Sequence, residues 1–181
     1  MKPFVFRHTV GFEETNLVGN VYFTNYLLWQ GHCHELFLGE FAPDVVKSLM
    51  SGEIAFLTKR CSCEYLGDQG FSALDRVYLE MCLLAFRGGR MTLSFEYFSG
   101  ECSGELMARG EQEIYCKIRR GEQWVPDVFP AQLVEALLSF ADEGKLQESL
   151  KEAIGFKEAR QAASRAENGS ANWWTPRSLA A

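Results

Sequence analysis

The chain has 181 residues, a length that suits one domain or one domain with a tail and is too short for two ordinary ones. Hydrophobic residues make up 47%, with 14 Phe, 6 Tyr and 4 Trp, so a core can close without disulfides or metal and intrinsic disorder of the whole chain is excluded. The net charge is −6 with no Lys/Arg run longer than two, which removes the footprint of a nucleic-acid binder; no stretch approaches the roughly 18 uncharged apolar residues of a membrane span, so a soluble, cytoplasmic protein is expected.

Residues 4 to 12 are rich in β-branched and aromatic types and read as a first strand. The polar segment 13 to 20 is a loop offering Asn20 as the cap of a following helix. Projected at about 100° per residue, Val21 to Phe41 places Tyr22, Tyr26, Trp29, Cys33, Leu36 and Phe37 on one broad arc. So much aromatic surface needs a large partner, and only the strands downstream can cover it. Pro43 opens a short helix through Met50. Four long strands follow, Ile54 to Leu66, Ala73 to Arg87, Arg90 to Gly100 and Gly104 to Arg119, the second and third joined by a Gly88-Gly89 hairpin turn. Pro130 to Ala141 reads as a closing helix. The domain is expected to end near residue 142, leaving 143 to 181 as a polar, mobile tail with a marginal helix over 145 to 166.

Six cysteines are scattered, and only Cys61 and Cys63 are close, spaced as neighbours on one face of a strand. They lack metal-knuckle spacing and read as reduced thiols; no metal or cofactor is called for. Gly88-Gly89 has no helix after it and is no phosphate loop. No GxSxG elbow exists, which removes an α/β-hydrolase.

The order strand, polar loop, long buried helix and four long antiparallel strands resembles the hot-dog fold, an α+β arrangement in which a curved sheet wraps a central helix. The stretch from Phe12 to Trp29, with Asn16, Gly19, Val21-Tyr22-Phe23 and Asn25-Tyr26, resembles the signature of the 4-hydroxybenzoyl-CoA thioesterase group. The run from Glu14 to Phe23, followed by Trp29-Gln30-Gly31 and Glu35-Leu36-Phe37-Leu38, is similar to the thioesterases of enediyne polyketide biosynthesis. The likeness covers residues 4 to about 140 as a fold and roughly 30 residues as a sharp motif.

The resemblance implies hydrolysis of a thioester on an acyl carrier protein, releasing a β-keto polyene that then loses carbon dioxide. It implies that the Phe23 N–H polarises the thioester carbonyl beside Val21 and Tyr22, worth about 3 to 4 kcal/mol in comparable sites. Asn16 stands where the parent group carries an acid; an amide has no titratable proton and can only hold and orient. Gly19, Tyr22, Tyr26 and Leu27 then belong to the site. His34 occupies the place of an expected Arg, beside Phe23, Leu27 and Gln30, and cannot supply a permanent bidentate cation. On the strand from Ile54, alternation puts Thr58, Arg60, Ser62 and Glu64 on one face, and Thr58 and Arg60 are candidate contributions from a partner chain. Glu13 or Glu14 as a base is a weaker option, since loop carboxylates are ordinarily solvated. The family further implies a dimer through edge strands and a tetramer. Two rival readings remain: an acyl-CoA thioesterase for a small aromatic or fatty acyl group, and a non-catalytic hot-dog protein binding an acyl chain or carrier protein.

Overall fold

The computed structural model describes residues 2–67, 70–100 and 104–141. In chain order the elements are β1 (Phe4–Thr9), a 3-10 turn (Phe12–Glu14), α1 (Thr24–Phe41), α2 (Pro43–Met50), β2 (Ile54–Tyr65), β3 (Arg76–Arg87), β4 (Arg90–Ser99), β5 (Glu105–Arg120), β6 (Gln123–Pro126) and α3 (Ala131–Leu138). The expected boundary after residue 142 and the helix over 145 to 166 lie outside the described residues.

Period-two burial builds the sheet. β4 sends Met91, Leu93, Phe95 and Tyr97 inward and β3 sends Val77, Leu79, Met81 and Leu83, as alternating side chains must when one face is covered. A register shift between Leu83 and Ala85 moves the next inward residue to Phe86, as expected of a bulge. The strands are antiparallel in the order β1-β3-β4-β5-β2, with β6 pairing the far end of β5. The Arg87–Arg90 pair closes a two-residue Gly88-Gly89 turn with Gly88 at φ +57°, a left-handed conformation that suits glycine. Bare Cα at Gly89 is needed as well, since a Cβ there would fall 2.3 Å from the Asp127 carbonyl oxygen.

The sheet curls around α1, the expected hot-dog arrangement. The helix buries Tyr26, Trp29, Gln30, Cys33, His34, Phe37 and Leu38, a narrower arc than the sequence suggests: Tyr22 lies before the helix and Leu36 is exposed. α1 begins at Thr24 rather than Val21, because the Val21 N–H bonds to the Phe71 carbonyl and the Tyr22 N–H to the Glu14 carbonyl. No side chain caps the helix; Asn20, expected in that role, instead bridges to Ser72. β1 stops at Thr9 and β3 starts at Arg76, both shorter than expected, and β6 was not foreseen at all.

Candidate active site at the N-terminus of α1

Residues 15 to 21 form a small closed loop pinned by a bridge between Thr15 and Val21. The Asn16 N–H donates to the Asn20 carbonyl at 2.8 Å, and the Asn16 side-chain Oδ1 accepts from the N–H groups of Val18 at 2.9 Å and Asn20 at 3.3 Å. Gly19, at φ +90°, permits the tight reversal that a side chain would resist. Because Oδ1 is committed to the loop, the Nδ2 amide is the part of Asn16 able to donate outward.

Beside this loop lies a cavity of about 290 Å³, lined by Asn16, Asn20, Val21, Tyr22, Phe23, Tyr26, Tyr65, Gly67, Gly70 and Met107. Four expected residues therefore meet here: Asn16, Tyr22, Phe23 and Tyr26. Phe23 is in the helical region, φ −54° and ψ −30°, and neither its N–H nor that of Thr24 has a hydrogen-bond partner among the described residues. First-turn N–H groups point out along the axis at the positive end of the helix dipole, so two donors stand ready at the helix start, the first of them on a residue that lines the cavity. Among the described residues lining it there is no carboxylate or imidazole.

Glu14, the acid just before the site loop, is occupied. Its carboxylate accepts from Gly11 N, from Trp29 Nε1 and, through His8 Nε2, from the imidazole, each at 2.7 Å. Burial pushes the Glu14 carboxyl up, but these three bonds outweigh it and hold it below its ordinary value. Its backbone carbonyl also takes the Tyr22 N–H and the Asn25 side-chain amide. Glu14 thus ties β1, the 3-10 turn and α1 together, a strut in place of a base.

The remaining expected residues lie elsewhere. Leu27 does not line the cavity. His34 is buried, its pKa pushed down to about 4 by desolvation, so it is neutral at physiological pH. Its Nε2 and the Gln112 Oε1 are buried without partners in the described chain. Thr58 and Arg60 do not share a face. A register shift after Thr58 pairs Thr58 with Ile114 but Arg60 with Glu113, so Lys59 absorbs the alternation. Thr58 faces the core side, where Gln112 Nε2 donates to its hydroxyl at 3.2 Å. Arg60 lines an outer cleft with Arg90, Glu111 and Glu113.

Sequence reasoning missed Tyr65. Its hydroxyl donates to the Phe23 carbonyl at 3.0 Å, and its ring meets Tyr26 edge-on at 5.0 Å. The available signal was its register with Cys61 and Cys63, which puts it at the strand end on the helix-facing side.

Comparison with family models and with curated proteins gives no match. Among solved structures, the dynemicin thioesterase, whose crystal structures describe polyene binding, is 42% identical and superposes with a TM-score of 0.71 over 77% of this chain and 98% of that one. The chain belongs to the hot-dog thioesterases. As a member it is a thioester hydrolase, close to the enediyne enzyme. The fold is shared more widely: a 1,4-dihydroxy-2-naphthoyl-CoA thioesterase from Synechocystis gives a TM-score of 0.65 at 19% identity, covering 75% of this chain and 95% of that one. The 4-hydroxybenzoyl-CoA thioesterase of a Pseudomonas species gives 0.63 at 16%, covering 75% and 99%.

Proposed function

We propose that this hot-dog thioesterase hydrolyses a β-keto polyene thioester carried on the phosphopantetheine arm of an acyl carrier protein, releasing the chain in enediyne-type natural product biosynthesis. The observation that carries the reading is a cavity at the helix start that is lined by Phe23, whose N–H is unpartnered among the described residues, and by an orienting amide, with no carboxylate or imidazole in its described lining. Water adds to the thioester carbonyl, negative charge gathers on the oxygen beside Phe23 N–H, and the carbon–sulfur bond breaks to give the acid and the carrier thiol. Asn16 Nδ2 donates to the carbonyl or holds the water; it takes no proton. Such a site asks for an activated acyl group, and a β-keto thioester is one. The free β-keto acid then loses carbon dioxide.

Tyr22, Tyr26 and Phe23 supply flat walls suited to a conjugated chain, and Gly19 shapes the loop that presents Asn16. Thr58 and Arg60 act in this reading as contributions from a partner chain, where β2, the terminal strand of the sheet, offers its free edge to a second copy. An acyl-CoA substrate and a purely binding role are the readings it competes with.

Thiol release measured with β-ketoacyl and saturated pantetheine esters tests the proposal. The β-keto ester should turn over faster, and Asn16→Ala should lower kcat/KM by about 100- to 1,000-fold, the order expected on losing one preorganised donor. Equal rates for both esters, or an Asn16→Ala variant as fast as the parent protein, would contradict it.

A further inference from the structure

Tyr65 stands on β2, far from α1 in sequence, yet it closes over the start of that helix. Its hydroxyl bonds to the Phe23 carbonyl at 3.0 Å, and its ring lines the site cavity beside Phe23 and Tyr26. The Phe23 carbonyl and the Thr24 N–H belong to one peptide unit. A hydrogen bond to a peptide oxygen draws electron density from its nitrogen and strengthens the N–H as a donor, as in any cooperative chain of hydrogen bonds. The Thr24 N–H has no partner among the described residues and, since Phe23 is helical, lies alongside the Phe23 N–H.

We infer that Tyr65 is a positioning residue for thioester hydrolysis: by holding and polarising the Phe23–Thr24 peptide, it makes the Thr24 N–H a second donor to the oxyanion beside that of Phe23. This rests on the proposed site and deepens it. The hydroxyl suits the task across the working pH range, because burial first and the neighbouring Cys63 second push it up to about 12, leaving it protonated. A second tyrosine secures the same turn from below: the buried Tyr97 hydroxyl donates to the Tyr26 carbonyl at 2.7 Å. Strand residues thus fix the turn from both sides, and Tyr65 acts on the peptide that joins the cavity-lining Phe23 to Thr24.

Tyr65→Phe keeps the ring and removes the bond, and at 47% exposure the position should tolerate it. With a β-ketoacyl-pantetheine substrate, kcat should fall about fivefold with KM nearly unchanged, the rate equivalent of one ordinary hydrogen bond. Isotope-edited infrared spectra of a bound ketone analogue, with CH2 in place of the thioester sulfur and 13C at the carbonyl, report polarisation directly. The stretch should move to higher frequency in the variant, a change that loss of packing alone would not produce, and Tyr115→Phe on the outer face should leave rate and stretch as they were. An unchanged kcat, a change confined to KM, or an unshifted stretch overturns the role of Tyr65 while leaving the proposed reaction standing. A parent protein that hydrolyses no ester overturns both.

Discussion

Glu14 is the carboxylate adjoining the site loop, and its surroundings decide what it can do. Three donors around one carboxylate make an anchor, and Glu14→Gln would set an NH2 group against donors, costing about 1 to 3 kcal/mol in chemical denaturation. Its pKa is lowered in the fold, so this stabilisation is present above the ordinary carboxyl value of 4.5 and fades as pH falls below it. His34 adds an earlier loss. Unfolded, it takes up a proton near 6.5, and folded only near 4, so stability is complete above 6.5 and declines between those values as pH falls. The difference amounts to about 3 kcal/mol, and His34→Gln should flatten the stability–pH profile over that window. Asn16 and Phe23 were legible from the motif because the loop and helix start that they form are local. The strut role of Glu14 was not, since its partners His8 and Trp29 come from β1 and α1 and meet only through tertiary packing.

At the scale of elements, α1 and β2 are locked by a polar contact through the sheet. The buried Gln30 amide donates to the Ser62 carbonyl at 3.0 Å and accepts from the Cys61 thiol at 2.9 Å. It lies over Gly110 of β5, where a Cβ would come 2.1 Å from Gln30 Nε2 and 2.6 Å from the Ser62 carbonyl oxygen. Gly110→Ala should therefore lower stability by about 1 to 3 kcal/mol through overpacking, visible as a reduced Tm. The bulge at Lys59 shows where alternation misleads. Thr58 and Arg60 share a face in an ideal strand, and one extra residue separates them; nothing in Thr-Lys-Arg announces it, because a bulge is set by register against the partner strand. The start of α1 was misplaced for a related reason. Val21 and Tyr22 have helical spacing, yet backbone bonds to Phe71 and Glu14 hold them in the loop.

For the molecule as a whole, alternation in β3 to β5 and the aromatic face of α1 made the curled sheet and its central helix legible, and the 0.71 superposition on the dynemicin thioesterase agrees. The short β6 was hidden because its four residues pair only with the end of β5, too brief a run for periodicity to register. With β2 at the margin of the sheet, light scattering of the purified protein should give at least a dimer. The central claim is that the cavity at the start of α1 releases a β-keto chain from a carrier protein using backbone donors and an amide. Mass spectrometry of a β-ketoacyl-loaded carrier protein after incubation with the enzyme tests it most directly, with the same acyl group on CoA and a saturated carrier ester run beside it. The account predicts loss of the acyl mass from the carrier, fastest for the β-keto chain; an acyl mass that stays intact on every carrier would contradict it.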